Sequence, residues 1–172
     1  GIEWGVGLPV ATACELVPSR AELIRRNFPE AKVFEGDIWK LVPSYVDFLR
    51  EKLGGLRPWL VTLSPPCQGM SSNGAGRISA AIRSGKRPRE DERNRLILPG
   101  VDILEQLRPD WFLLENVRRM EHTVIRNERN EPENILALLA RRLHPLGYTI
   151  RSAILDFRKY GVPHHRSRLI TI

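Results

Sequence analysis

Two consecutive prolines, Pro65-Pro66, follow Ser64 and the apolar run Trp59-Leu60-Val61-Thr62-Leu63, and Cys67 comes directly after them. A five-residue apolar run containing Trp and Val, bounded by prolines, reads as a buried strand. Neither proline can donate to a ladder and each fixes its own φ, so the strand ends in a stiff turn. That turn projects one thiol from a strand end. In an open parallel α/β sheet this is the edge where ligands sit. Cys67 is therefore a candidate nucleophile. The alternative is a buried cysteine acting as a small hydrophobe; Pro-Pro before it and Gln68-Gly69 after it argue against burial.

The flanking segments alternate between the two periodicities. Val10 to Cys14 and Lys32 to Phe34 predict short strands, ended by Glu15 and by Glu35-Gly36-Asp37. Ser19 with Glu22 reads as a capping box behind Pro18, opening a helix with Ala21, Ile24 and Phe28 inward. Ser44 is expected to open a second helix that stops at Gly54-Gly55. Leu96 to Leu107 predicts a helix broken or kinked at Pro99-Gly100. Trp111 to Leu114 predicts a strand closed by Glu115-Asn116-Val117. Pro132-Glu133-Asn134 leads into a helix carrying Ile135, Leu138, Leu139 and Leu143, and Tyr148 to Leu155 returns as a strand. Strands alternating with helices imply βαβ units, an α/β class and a mostly parallel sheet.

A chain of 172 residues, 42% hydrophobic and 27% charged, suits one soluble domain with a real core. No apolar run approaches the ~20 residues a membrane span needs, so no membrane partner is expected. Cys14 and Cys67 make no disulfide framework, which favours a reducing, cytoplasmic compartment. They stand far apart, and His164-His165 has no ligand spacing, so no metal is expected. The net charge of +7 suggests a polyanionic partner. Arg77, Arg83, Lys86, Arg87, Arg89, Arg93 and Arg95 form a basic, Gly- and Ser-containing stretch able to contact phosphates, or else a solvated loop. The chain opens at Gly1 without methionine and stops at Ile172 within a segment that reads as strand, so a fragment of a longer protein is the expectation.

Three predicted strands end in a carboxylate: Glu15, Asp37 and Glu115. In a doubly wound sheet these positions share one crevice. Glu15 fits the acid that takes ribose hydroxyls, and Asp37 could accept from an exocyclic amine of adenine. Acids at strand ends also cap helices or face water, and that reading stays open for each alone. Glu115 follows four apolar residues, so a dry pocket is expected around it, favouring the protonated carboxyl. A thiolate beside an acid, a basic loop and an adenosine-type crevice point to nucleophilic addition to a nucleobase.

The chain resembles the cytosine-specific DNA methyltransferases that methylate carbon 5. The matching segments are Pro66-Cys67-Gln68, Glu115-Asn116-Val117 and Tyr160-Gly161-Val162-Pro163-His164-His165-Arg166-Ser167-Arg168, in the family's order, with Glu15 and Gly36-Asp37-Ile38 upstream. The resemblance implies a Rossmann-like S-adenosylmethionine-dependent methyltransferase fold, truncated at both ends, with residues 1–172 a partial catalytic domain. It implies Cys67, Glu115, Arg166 and Arg168 as catalytic residues, and Glu15, Asp37, Ile38 and Pro66 at the cofactor S-adenosylmethionine. It places Gln68, Ser71, Asn116 and Arg93 at the substrate or in support of the catalytic loop. The implied partner is double-stranded DNA with a flipped cytosine. A monomeric enzyme of bacterial or phage type, cytoplasmic and nucleoid-associated, is expected.

By that resemblance the Cys67 thiolate adds to carbon 6 while Glu115 hydrogen-bonds or protonates ring nitrogen 3. Arg166 and Arg168, two apart in an extended segment, point the same way and brace these groups. Four departures stand out. The glycine-rich cofactor loop and the target-recognition region are absent, His164 stands where glutamine is usual, and Leu16 follows Glu15 in place of an aromatic. The chain alone is expected to be weakly active or inactive. Rival readings are an exocyclic-amine methyltransferase, whose Ser-Pro-Pro is followed by an aromatic rather than Cys67, an RNA cytosine methyltransferase, and a catalytically silent DNA-binding module.

Overall fold

The computed structural model describes Gly5, residues 7–66 and residues 92–172. The chain divides into two compact units, Gly1–Gly54 and Gly55–Ile172.

In the first unit, strand β1 (Thr12–Glu15) lies parallel to strand β2 (Lys32–Glu35), with Thr12 opposite Lys32 and Glu15 opposite Glu35. Helix α1 (Pro18–Asn27) makes the crossover. It begins two residues before the expected start, with Val17 rather than Ser19 preceding it and Pro18 in its first turn, where the missing N–H costs nothing. The capping box does not form. Glu22 instead accepts from Arg26 Nε at 3.0 Å, one turn along the helix.

Helix α2 (Ile38–Lys52) also begins earlier than expected, because Asp37 rather than Ser44 is its N-cap: Trp39 N–H donates to Asp37 Oδ1 at 3.1 Å. Pro43 sits inside the helix, and Ser44 Oγ donates back to Leu41 O at 3.0 Å. Val42, Val46 and Leu49 of α2 are buried with Ala21 of α1. Phe34 meets Tyr45 and Phe48 edge-on, with ring centroids 5.3 and 5.6 Å away.

The second unit is built on a four-stranded sheet of order β3-β4-β8-β7. Strand β3 (Leu60–Leu63) runs parallel to strand β4 (Trp111–Val117), and helix α3 (Ile97–Leu107) precedes β4. Pro99-Gly100 does not break α3, because Pro99 lies in the first turn, whose N–H groups need no intrahelical acceptor. Gly100 lets the helix approach the sheet: a Cβ there would stand 3.1 and 3.2 Å from the two δ-carbons of Leu63. Arg108 ends α3 in the left-handed conformation at φ 47°.

After β4 come a 3-10 turn (Arg118–His122) and an unexpected hairpin of strands β5 (Val124–Arg126) and β6 (Pro132–Asn134). Helix α4 (Ile135–Leu143) follows, capped by Asn134 Oδ1, which accepts from Leu136 N at 2.9 Å. Ile135, Leu138, Leu139 and Leu143 of α4 are fully buried, as are Ile97, Val101 and Leu104 of α3 and Leu114 of β4. Each such side chain contributes roughly 1.5–3 kcal/mol by leaving water. Arg142 ties the two helices at their rim by ion pairs to Asp102 and Glu105.

The chain returns as strand β7 (Ser152–Asp156) and strand β8 (Ser167–Thr171). Here the expectation of a mostly parallel sheet fails. Among the described residues, β8 is antiparallel to both β4 and β7, and the β5–β6 pair is antiparallel as well. The reason is the connection. Residues 157–166 join β7 to β8, too short a link for the crossover that a parallel pair requires. The sheet is mixed, with β8 as its reversed strand.

Candidate active site

Strand β4 carries Glu115 within the ladder rather than beyond its end. Phe112, Leu114 and Asn116 are buried on one face, which leaves Leu113, Glu115 and Val117 on the other. Glu115 lies opposite Ile170 of β8, so Arg168, two residues before Ile170, is its diagonal neighbour on the same face. Arg168 Nε reaches Glu115 Oε1 at 2.9 Å. Arg166 Nη2 stands 3.6 Å from the same oxygen. The two arginines therefore do point the same way. Arg168 is held in turn by Nη1 donating to Ser167 O at 2.9 Å.

The expected dry pocket around Glu115 is not what the strand pairing builds. The Glu115 side chain is 28% exposed and sits against two guanidinium groups. Its surroundings are cationic and part-hydrated, and Oε1 accepts from Arg168.

Asn116, 2% exposed, ties β4 to the segment after β3. Its Nδ2 donates to Pro65 O at 2.9 Å, and its Oδ1 accepts from Val117 N–H at 2.8 Å. The resemblance places Asn116 at the substrate or in support of the catalytic loop; its longer-range partner is the Pro-Pro turn. Pro66 is exposed at the end of that turn. Cys67, Gln68 and Ser71 lie outside the described residues.

Arg93 is exposed on a 3-10 turn (Glu92–Leu96) that leads into α3. Its neighbour Asn94 is buried, and Asn94 Oδ1 accepts no hydrogen bond among the described residues. Sequence reasoning passed over Asn94, and it saw Pro65 as a turn former and not as a hydrogen-bond acceptor. A lone Asn among arginines gave no signal, and a backbone carbonyl leaves none.

In the first unit, Glu15 ends β1 and Asp37 follows β2, and backbone ties draw the strand ends together: Gly36 N–H donates to Glu15 O at 2.9 Å. Gly36 has φ 139°, a conformation open to glycine. Glu15 Oε1 accepts from Val17 N–H at 2.9 Å, and Asp37 Oδ1 is occupied by the helix cap. The second oxygen of each carboxylate has no partner among the described residues. Burial pushes the Cys14 thiol pKa up, and the charges of Glu15 and Asp37 push it the same way. The end of the β1–β2 pair is thus an electronegative patch. Ile38, half-buried, opens α2 beside it.

A family model for the C-5 cytosine-specific DNA methylases matches residues 5–172. The chain belongs to that family. This methylase chain is 29% identical over 158 residues to the Type II methyltransferase M1.HphI of Haemophilus parahaemolyticus, covering 92% of this chain and 38% of that protein. It is 32% identical over 170 residues to the Type II methyltransferase M1.HgaI of Avibacterium volantium, covering 96% of this chain and 43% of the other. The methylase chain thus spans about two fifths of these curated relatives.

Among solved structures it superposes on a protein from an E. coli prophage described as a DNA modification methyltransferase, with TM-score 0.68, 21% identity, and 96% and 40% of the two chains covered. A DNMT2 mutant of Spodoptera frugiperda gives TM-score 0.64 at 22% identity, covering 99% of this chain and 44% of that one. Those likenesses show that the chain shares their fold.

Proposed function

We propose that residues 1–172 form part of the catalytic domain of an S-adenosylmethionine-dependent DNA cytosine-5 methyltransferase. The observation that carries this reading is the juxtaposition on β4 of an arginine-held acid, Glu115, and the neighbouring Asn116, which grips the turn leading to Cys67. Membership of the C-5 methylase family supports it, as does the kinship with Type II methyltransferases.

The proposed chemistry begins with a cytosine out of its stack. The Cys67 thiolate adds to carbon 6, and the electron pair displaced from the 5,6 double bond makes carbon 5 nucleophilic. Glu115, as the carboxylic acid, donates its proton to ring nitrogen 3 and so absorbs the charge that addition develops, with Arg168 and Arg166 fixing its orientation. After methylation, a solvent water takes the carbon 5 proton, its electron pair restores the 5,6 double bond as the thiolate leaves carbon 6, and nitrogen 3 returns its proton to Glu115.

S-adenosylmethionine, when bound, supplies the electrophilic methyl group. The residues present fit it. The unpartnered oxygens of Glu15 and Asp37 are acceptors suited to the hydroxyl and amine donors of an adenosine, and Ile38 offers an apolar contact beside them. Pro66, Gln68, Ser71 and Arg93 complete the proposed set of cofactor and loop contacts. Among the described residues no helix is long and apolar enough to cross a membrane, and no cluster of three or more His, Cys, Asp or Glu could hold a metal.

Incubation of the intact protein that carries residues 1–172 with duplex DNA and methyl-labelled S-adenosylmethionine, followed by nucleoside analysis, tests the reading. Label in 5-methylcytosine is expected. Label in N4-methylcytosine or N6-methyladenine would instead establish the exocyclic-amine rival.

A further inference from the structure

Helix α2 carries Trp39, Val42, Val46 and Leu49 at steps of three, four and three residues, a spacing that sets them in one stripe along the helix. Val42, Val46 and Leu49 are buried, whereas Trp39, at the N-terminal end of the same stripe, is 46% exposed. The helix begins at Ile38, just past the end of β2 at Glu35, so the stripe leaves the core where the parallel strands β1 and β2 end. Side chains on a helix lean toward its N-terminus, which sets the indole on the side of Asp37 and the strand ends. The Trp39 backbone N–H is itself 3.1 Å from Asp37 Oδ1.

The other rings of this unit are placed elsewhere. Phe34, Tyr45 and Phe48 are half-buried, with Phe34 meeting the other two edge-on, and Phe28 closes α1 near the opposite ends of the strands. Among the described aromatic residues of the unit, Trp39 alone is exposed, and it stands at the end that carries Glu15 and Asp37. The charges of both acids act on Cys14, so the two carboxylates gather at this one place. Leu16, directly after Glu15, is 64% exposed but branched, and offers no flat face.

We propose that Trp39 supplies the aromatic face against which the adenine ring of S-adenosylmethionine lies. This assignment rests on the methyltransferase reading, which supplies the cofactor. An adenosine presents hydroxyl and amine donors along its edges and a flat π-face above them. Carboxylates can take the donors, but they do nothing for the face, which gains most from a second aromatic ring. Glu15 and Asp37 each keep one oxygen without a partner among the described residues, so edge contacts and face contact come together at the end of β1 and β2. Trp39 thus fills a need that Leu16 cannot.

The test is calorimetric titration of the intact protein that carries residues 1–172, and of its W39F and W39L variants, with S-adenosylhomocysteine and separately with S-adenosylmethionine. Trp39 is exposed, so the variants keep the fold, which a thermal melt verifies. W39L keeps an apolar side chain without a ring and should weaken both ligands equally, by roughly tenfold to a hundredfold. W39F keeps a ring and should recover most of that loss. S-adenosylhomocysteine should quench indole fluorescence in the wild type, and at equal occupancy this quench should fall away in W39F.

A wild type that binds both ligands, with W39L binding them as tightly, overturns the assignment of Trp39 and leaves the methyltransferase reading standing. A loss in W39L confined to S-adenosylmethionine places the indole at the sulfonium and overturns the adenine contact. W39F no better than W39L does the same, because the ring then contributes nothing. A wild type that binds neither ligand overturns the cofactor reading and this assignment with it.

Discussion

Asn116 Nδ2 donates a 2.9 Å hydrogen bond to the carbonyl of Pro65, so strand β4 holds the turn that follows strand β3. The residue next to the candidate acid thereby anchors the segment that leads to the candidate nucleophile. A rigid tie of this kind is what a two-residue chemistry needs, because small misplacements of reacting groups cost orders of magnitude in rate.

Asn116→Ala removes the donor and leaves a Pro65 acceptor without its partner. A loss of about 1–3 kcal/mol in stability is expected, read from chemical denaturation. Asn116→Asp keeps the shape but presents an acceptor to an acceptor, and should fare no better. In both, covalent capture of cytosine should slow more than DNA affinity falls. Asn116→Asp with unchanged stability and capture rate would show that the tie is incidental.

Arg168 holds Glu115 by a charge-assisted bond across the β4–β8 pair. Arg168→Gln should lower kcat by roughly 10²–10³-fold, the scale for loss of one preorganised polar group, with little change in KM for DNA. Arg168→Lys should recover only part, because a point charge does not reproduce the planar fork. Single-turnover methylation at saturating DNA measures both.

Asp156 pairs with Arg158, and this holds its carboxyl pKa down to about 2. A depressed folded pKa means that the pair's stabilisation is fully present above the unfolded carboxyl range near pH 4. It is lost as pH falls toward 2. Carbon-detected NMR titration should find the Asp156 carboxyl titrating near 2, and Arg158→Ala should return it toward the ordinary range. An Asp156 carboxyl that titrates at its ordinary value in the unaltered protein would refute the pairing.

Cys14 is half-buried beside Glu15 and Asp37, and both burial and the two charges push its thiol pKa up. In a Cys67→Ser variant Cys14 is the sole thiol. It should alkylate more slowly at pH about 8 than a free cysteine, whose pKa is about 8.5. Glu15→Gln should speed the reaction by removing a negative neighbour. A pH–rate midpoint at or below that of the free thiol would contradict this account.

The alternation of strands and helices, and the acids at their ends, were legible because each rests on local periodicity and on side-chain chemistry. Helix starts were less so. Ser19 and Ser44 looked like caps, whereas Val17 and Asp37 precede the first turns, since Pro18 and Pro43 fit a helix's first turn and interior better than their reputation as breakers suggests. The β5–β6 hairpin went unread because its strands are three residues each, with Ile125 as the buried apolar residue between exposed Val124 and Arg126.

At the site, the order Glu115 then Arg168 was readable, but their pairing across an antiparallel ladder was not. It depends on β8 inserting between β4 and β7, a tertiary arrangement that no window of sequence encodes. The same arrangement explains why a strand-end acid after four apolar residues is not in a dry pocket: its neighbours come from β8.

The central claim is that Cys67 forms a bond to a cytosine ring while Glu115 supports the addition. Incubation of the intact protein that carries residues 1–172 with a duplex containing 5-fluorocytosine and with S-adenosylmethionine, followed by peptide mass spectrometry, tests it most directly. The account predicts an adduct on Cys67, absent in Cys67→Ser and slowed in Glu115→Gln. An adduct on any other residue, or formation of 5-methylcytosine from cytosine by the Cys67→Ser protein, would contradict it.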